Sequence, residues 1–261
     1  MTMHRYIIED HRHVSPFNEP ASQLTIGTKP LKIHQDDVLI GYFGESLSLG
    51  GTFTRAEHIR SIQGPAIVYR DNLWFDHEFL DAFMQQALAT GQACRAAFPA
   101  DDPAFRTYTL PLSTGVVPAY DQDGRLIYMA DLWYFPGSYT DQITPIVVDG
   151  DAEEMGFYSV PDFMTLERGN LTHFAPARAI MSIESWVHIY FAGIIFGLFG
   201  RGSRFDRYIK RHNFYSLKLL WRAIMEQKQL LSSSEVVRVG KGTNIHPTAV
   251  ITGPAQIGDN C

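Results

Sequence analysis

Two aspartates stand where a metal-dependent reaction would need them. Ala66-Ile67-Val68-Tyr69 is a short apolar run that reads as a strand, and Arg70 and Asp71 follow it directly. A carboxylate at a strand end is a natural ligand for a hard divalent cation. Asp131 is the second candidate, because Asp131-Leu-Trp-Tyr-Phe echoes Asp71-Asn-Leu-Trp-Phe. Lys29, Lys32 and Arg70 are the cations that could contact a phosphate, and such charges steady negative charge developing in a transition state. Both aspartates can also be read as turn residues beside buried aromatics. The aromatics Trp74, Phe75, Trp133, Tyr134 and Phe135 could line a sugar site or pack into the core.

Other polar groups give weaker patterns. Gly50-Gly51-Thr52 could cradle an anion at a helix N-terminus, but it lacks P-loop spacing and reads equally as a turn. His11 and His13 have no partner pair at zinc-finger spacing. Glu184 and His188 are four residues apart, so a helix would put both on one face. They would then orient a substrate, or His188 would be buried with its bonds satisfied. His246, one residue after a repeat anchor, reads as a turn residue.

Elements must hold these groups. Strands are expected at His4–Glu9, Val38–Phe43, Ala66–Tyr69, Cys94–Phe98, Arg106–Leu110, Leu126–Met129 and Ile143–Val148. Thr54-Arg-Ala-Glu57 has the form of a capping box and predicts a short helix from Thr54. Asp76 as N-cap, Phe79, Leu80, Phe83, Met84, Ala87 and Leu88 at helical spacing, and Gly91 as stop predict a second helix. Strand, helix, strand at this spacing is a βαβ unit, which implies a parallel or mixed sheet. A further helix is expected over Leu217–Leu231, ended by Ser232-Ser233-Ser234.

Bulk properties narrow the classes. The formal charge of −6 argues against nucleic-acid binding. Cys94 and Cys261 give no disulfide framework, and the N-terminus lacks the apolar core of a signal peptide, so a cytoplasmic location is expected. Trp186–Gly200 is apolar but shorter than the roughly 20 residues that span a bilayer. With the basic run that follows, residues 186–211 could lie on an anionic membrane surface, or form a buried helix that exits to solvent.

The most specific pattern is at the end of the sequence. Val239, Ile245, Ile251 and Ile257 recur every six residues. Thr243, Ala249, Ala255 and Cys261 follow them, each four residues on. Pro247 and Pro254 fall between anchors. This is the signature of a hexapeptide-repeat parallel β-helix. Such repeats bury their apolar faces only against one another, so the sequence is expected to be C-terminally truncated at Cys261.

An α/β domain, a linking helix and hexapeptide repeats together resemble the sugar-phosphate nucleotidyltransferases fused to β-helix acyltransferases. Ala66-Ile-Val-Tyr-Arg-Asp71 resembles that family's strand ending in a metal-binding aspartate. Glu19-Pro-Ala-Ser-Gln-Leu with Thr28-Lys29-Pro30-Leu31 resembles its early Pro-Lys-Pro-Leu segment, and Glu184-Ser-Trp186 resembles a late Trp-containing motif. The fold so implied is a mixed α/β nucleotidyltransferase-like domain over 1–231, then the first coil of a left-handed β-helix over 232–261. The activity implied is nucleotidyl transfer to a sugar 1-phosphate, with Mg²⁺ on Asp71 and Asp131. Lys29, Lys32, Arg70, Trp74 and Glu184 would bind a nucleotide or sugar phosphate. The whole protein would be a homotrimer. One departure opens an alternative. Glu9-Asp10-His11-Arg12-His13 stands where that family carries a glycine-rich phosphate loop. The alternative is a degenerate, non-catalytic domain that binds a ligand or scaffolds a β-helix acyltransferase.

Overall fold

The structure, a computed structural model, describes residues 2–156, 172–211, 221, 237–245, 249, 251 and 255–261. These residues fall into two compact units, Met1–Gly197 and Leu198–Cys261. The first is built on a seven-stranded mixed sheet. Its strands are β1 (Met3–Ile8), β2 (Leu47–Phe53), β3 (Ala66–Arg70), β5 (Cys94–Pro99), β6 (Val117–Tyr120), β7 (Leu126–Phe135) and β8 (Thr144–Val147). A short strand, β4 (Leu73–Phe75), lies outside this sheet and pairs antiparallel with β9 (Ile180–Ser182). The spatial order is β8-β5-β7-β3-β1-β2, with β6 paired to β7. β1 is parallel to both β2 and β3, while β7 runs antiparallel to both β3 and β5.

Side chains alternate between the two faces of a strand. On β7, Ala130, Leu132 and Tyr134 enter one apolar core with residues of helices α1 (Leu31–Phe43) and α2 (His77–Thr90). Trp133 and Phe135 face the other way, against Ile8, Ile59, Ile62 and Val68.

Helix α2 forms as its spacing predicts. The Asp76 carboxylate accepts the Phe79 N–H at 2.8 Å, and Gly91 ends the helix at φ 63°. Asp76 also accepts the Ala179 N–H at 3.2 Å, so one side chain caps α2 and anchors the approach to β9.

Four local expectations are corrected. Residues 38–43 are the last turns of α1. The buried positions Leu31, Gln35, Val38 and Leu39 share one helical face, and this wider period overrides the short run of apolar residues. Residues 106–110 are not a strand, because Phe105–Thr109 is helical. Asp102 accepts the Ala104 and Phe105 N–H groups at 2.9 and 3.0 Å, and Pro103 opens the helix, as proline does at a first helical position. The Gly50-Gly51 pair lies inside β2 and not at a helix N-terminus. There the β1–β2 register shifts, and a Cβ on Gly50 would lie 2.5 Å from the Tyr6 ring. The helical turn beyond it, Ala56–Ser61, is 3₁₀ and has no capping bond from Thr54.

Trp186–Tyr190 forms helix α3, capped by Ser185, and Phe191–Phe199 and α4 (Gly200–Arg211) follow it in the chain. No described helix is long and apolar enough to cross a membrane. The expected linking helix (apart from Trp221) and the expected boundary near Ser232 lie outside the described residues.

In the second unit β10 (Val237–Val239) pairs in parallel with β11 (Ala255–Ile257). Val237 meets Ala255 and Val239 meets Ile257, eighteen residues on in each case. Gly242 and Asn260, also eighteen apart, both adopt left-handed backbone, at φ 74° and 55°. Asn260 N–H donates to the Lys241 carbonyl and Gly240 N–H to that of Ile257, both at 2.9 Å. The chains approach so closely here that a Cβ on Gly240 would fall 2.4 Å from the Gly258 carbonyl carbon. Gly240→Ala must therefore push the two strands apart. Hydrogen exchange should accelerate at Gly240 and Asn260, while amides of β1 and β3 keep their protection.

Candidate functional site

In an open α/β sheet, ligands bind outside the carboxyl ends of the strands, where the chain order reverses. Here β1 is flanked by β2 on one side and β3 on the other, so the reversal lies between β1 and β3. The residues that leave those two strands are Glu9 to Arg12 and Asp71 to Asn72.

The two exits are tied together by backbone and carboxylate. Asp71 N–H donates to the Ile8 carbonyl at 3.0 Å, and Asp10 N–H donates to Asp71 Oδ1 at 2.8 Å. Asp10 in turn accepts the Arg12 N–H at 3.1 Å, the Arg12 guanidinium at 2.7 Å and Asn72 Nδ2 at 2.8 Å. Arg12 reaches on to Thr114 Oγ1 at 2.9 Å and to Glu184 Oε2 at 3.4 Å. Glu184 accepts the Thr114 hydroxyl and the N–H groups of Thr114 and Gly115, at 2.6, 2.9 and 2.6 Å. Gly115 admits that approach, since a Cβ on it would lie 2.6 Å from Glu184 Oε1. Gln35, from α1, donates to the Leu73 carbonyl at 2.7 Å and holds the turn after Asp71 from below.

Two buried groups support this arrangement. His188 Nδ1 accepts the Glu184 N–H at 3.1 Å, so its proton sits on Nε2, which donates to the Pro111 carbonyl at 2.7 Å. His188 is therefore a positioning clip for Glu184, and Glu184 lies ahead of α3 rather than on it. Asn72 is almost fully buried, and its Oδ1 has no hydrogen-bond partner.

The charges here pull in opposite directions. Burial works against ionised Asp10, but Arg12 outweighs it and holds the Asp10 pKa below its ordinary value. Asp71 goes the other way. Burial pushes its pKa up, the carboxylates of Asp10 and Glu9 add to this, and the Asp10 N–H and Ser22 hydroxyl offset part of it.

The sequence candidates separate. Asp71, Arg70 and Glu184 border the crevice. Asp131 makes no hydrogen bond with Asp71 or Asp10. It lies within β7 and bonds Arg70, the last residue of β3, whereas Asp71 belongs to the turn that follows that strand. Its two oxygens accept Arg70 Nε at 2.5 Å and Arg95 Nη2 at 2.7 Å. Trp74 is core, stacked on His34 at 5.2 Å and tilted against Phe196 at 5.8 Å. Lys29 pairs with Asp37, and Lys32 stands exposed on α1. A Mg²⁺ held jointly by Asp71 and Asp131 does not fit these residues. Each Asp131 oxygen accepts one arginine, and those bonds would have to be given up before Asp131 reached an ion shared with Asp71, whose Oδ1 accepts the Asp10 N–H.

Asp10 and Arg12 were visible in sequence only as an acidic break in an expected loop. Thr114 and Gly115 carried no signal, because a separation of 70 residues from Glu184 hides the contact.

No family model matches the chain, and no curated protein matches it. Among solved structures it is similar to a Bacillus anthracis protein provisionally named a glucose-1-phosphate thymidylyltransferase, solved with a sucrose. The TM-score is 0.37 at 8% identity, over 57% of this chain and 87% of that one. It is also similar to a hypothetical transferase from Thermus thermophilus, with a TM-score of 0.37 at 10% identity, over 52% of this chain and 65% of that one. At that overlap neither likeness bears on what this chain does.

Two outcomes are expected. Asp131→Ala leaves two part-buried guanidinium groups without their counter-charge, and should cost about 3 kcal/mol in urea denaturation. Asp71 has a raised folded-state pKa, so ionised Asp71 opposes folding above that pKa, and the penalty vanishes as pH falls through it. Asp71→Asn should therefore be more stable than the parent near neutrality. The gain should close below the ordinary value of 3.8, measured by denaturation at both pH values.

Proposed function

We propose that the α/β unit is a nucleotidyltransferase-like domain that does not transfer nucleotides and serves instead to scaffold a β-helical segment of the same chain. The observation that carries this reading is the fate of the amides after β1. To hold a nucleotide, that loop would point its N–H groups at phosphate oxygens. Here the Asp10 N–H is spent on Asp71 and the Arg12 N–H on Asp10. The chain's own carboxylates sit where an anion would. Arg12 and Arg70, the cations beside the crevice, are already paired with Asp10 and Asp131. An arriving triphosphate would meet Glu9, Asp10, Asp71 and Glu184 with little positive charge left to neutralise it.

Nucleotidyl transfer to a sugar 1-phosphate is the competing reading. It draws on one observation, the position of Asp71 beyond the carboxyl end of β3 at the chain reversal. One measurement separates the two. A ligand at about 100 times its Kd stabilises the folded state by about 2.7 kcal/mol, which raises Tm by several degrees in a domain of this size. Each nucleoside triphosphate with Mg²⁺ should leave Tm unchanged, and no pyrophosphate should appear when a sugar 1-phosphate is added. A saturable rise in Tm, with turnover abolished by Asp71→Ala, would establish the competing reading.

The second unit supports a finer proposal. Eighteen residues per repeat is three hexads: 237–239 pairs with 255–257, and the left-handed Gly242 recurs one repeat later as Asn260. We read this as one coil of a parallel β-helix. On this reading, the acyl transfer and trimer formation that the resemblance in layout implies belong to that part of the molecule and not to the crevice.

A further inference from the structure

The crevice between β1 and β3 bonds to itself without satisfying all of its own groups. Asp10 is full, with the Arg12 N–H, Nε and Nη2 and Asn72 Nδ2 on its two oxygens. Glu184 is filled in the same way by Thr114, Gly115 and Arg12. Unused capacity lies on other acceptors. Asn72 Oδ1 has no partner, although Asn72 is only 1% exposed. Its orientation is fixed, because a carboxylate only accepts and Asp10 must therefore face Nδ2. Asp71 takes the Asp10 N–H and the Ser22 hydroxyl, about half of what a carboxylate can accept. The Glu9 carboxylate meets His11 Nε2 at 3.8 Å, beyond hydrogen-bond length.

We propose that this crevice binds a primary alkylammonium group. Acceptors with capacity left call for a ligand that only donates, and an ammonium brings three N–H donors and no acceptor. Charge agrees with that inventory. Glu9, Asp10, Asp71 and Glu184 outnumber Arg12, the guanidinium bonded among them, and such a surplus concentrates small cations. Burial and the nearby carboxylates of Asp10 and Glu9 resist ionisation of Asp71, and a cation bound there removes part of that opposition. A guanidinium seeks a two-oxygen face, and Arg12 already holds the one on Asp10. An ammonium is compact and makes no such demand.

The sheet has a second concavity that lacks these features. It is a cavity of about 490 Å³ on the face that α1 and α2 leave uncovered, bordered by Ile59, Trp133, Tyr139 and Ile143. Its Glu57 and Arg60 are exposed and opposite in charge, and its Trp133 ring is buried with the Arg95 guanidinium over it. Neither an unpaired polar group nor a surplus of charge marks a ligand there.

The test is calorimetric titration of the full chain at fixed ionic strength. Putrescine stands for a free polyamine, and Gly-Lys-Gly with blocked termini stands for a lysine side chain of a protein. Tetramethylammonium and Mg²⁺ are the comparison probes. Saturable heat is expected with at least one of the two amines, and the tighter of them identifies the source. Tetramethylammonium carries the charge without an N–H donor and should bind more weakly by roughly tenfold or more. Glu9→Gln, Asp71→Asn and Asn72→Ser should each weaken the amine by about tenfold, the value of one charge-assisted hydrogen bond. Should Asn72→Ser unfold, Asp71→Asn, which is expected to be more stable than the parent, and the exposed Glu9→Gln carry the test. Glu57→Gln removes the same charge away from the crevice and should change nothing. No saturable heat with either amine overturns the proposal. So does binding of tetramethylammonium or Mg²⁺ as tight as that of the amines, and so does a loss in Glu57→Gln equal to that in Glu9→Gln. The scaffold reading stands or falls separately, on the nucleotide titration.

Discussion

The α/β unit depends on one carboxylate inside one strand. β7 runs against its two neighbours, β3 and β5, and its register with β5 slips between Met129 and Trp133. Asp131 lies in that slip. It takes one guanidinium from each flanking strand, and Arg95 also satisfies the Ala130 carbonyl exposed by the irregularity. A one-residue slide of β7 would turn Leu132 and Tyr134 out of the core and bring Asp131 and Trp133 into it. The ion cluster therefore fixes more than a contact. It decides which face of β7 each residue occupies, and hence that Trp133 lies over the cavity while Ala130 packs on α2. Its net worth to stability is a separate matter, since drawing three charges out of water offsets much of their attraction.

Much of this fold was legible because the physical signals were local. Asp76, the apolar stripe of α2 and Gly91 are an N-cap, a face and a left-handed stop, all within one segment. The parallel run of β3 and β5, on either side of β7, followed from a strand–helix–strand pattern. Where reading failed, the window was too narrow. Val38–Phe43 resembles a strand alone, but Leu31 and Gln35 upstream complete a helical face. Asp102-Pro103 was a helix start hidden in front of a β-rich run. The site was harder to read. Asp71 could be placed at a strand end from sequence. Its pairing with Asp10 could not, and neither could the capture of Asp131 by Arg70 and Arg95, since both depend on register between strands distant in the chain.

The two concavities of the sheet use charge differently. In the crevice, acids and arginines close on one another, and the polar groups that could greet a ligand are already bonded. Asn72 is the exception, with a buried carbonyl oxygen left over from its bond to Asp10. Around Trp133 the bonded Arg95 guanidinium lies over the ring, while Glu57 and Arg60 remain in solvent. The cross-linked polar cluster of the crevice holds its loops together.

The matched pair Gly242 and Asn260 has a consequence for how this segment can change over time. Left-handed backbone recurs after eighteen residues because the two positions occupy equivalent corners of successive turns. Many side chains can vary under such a rule, but chain length cannot. A single inserted or deleted residue between the corners would move every later residue by one place, carrying Asn260 off its corner and Ile257 out of register with Val239. Lineages of this segment should thus show drifting residue identities over an almost invariant count.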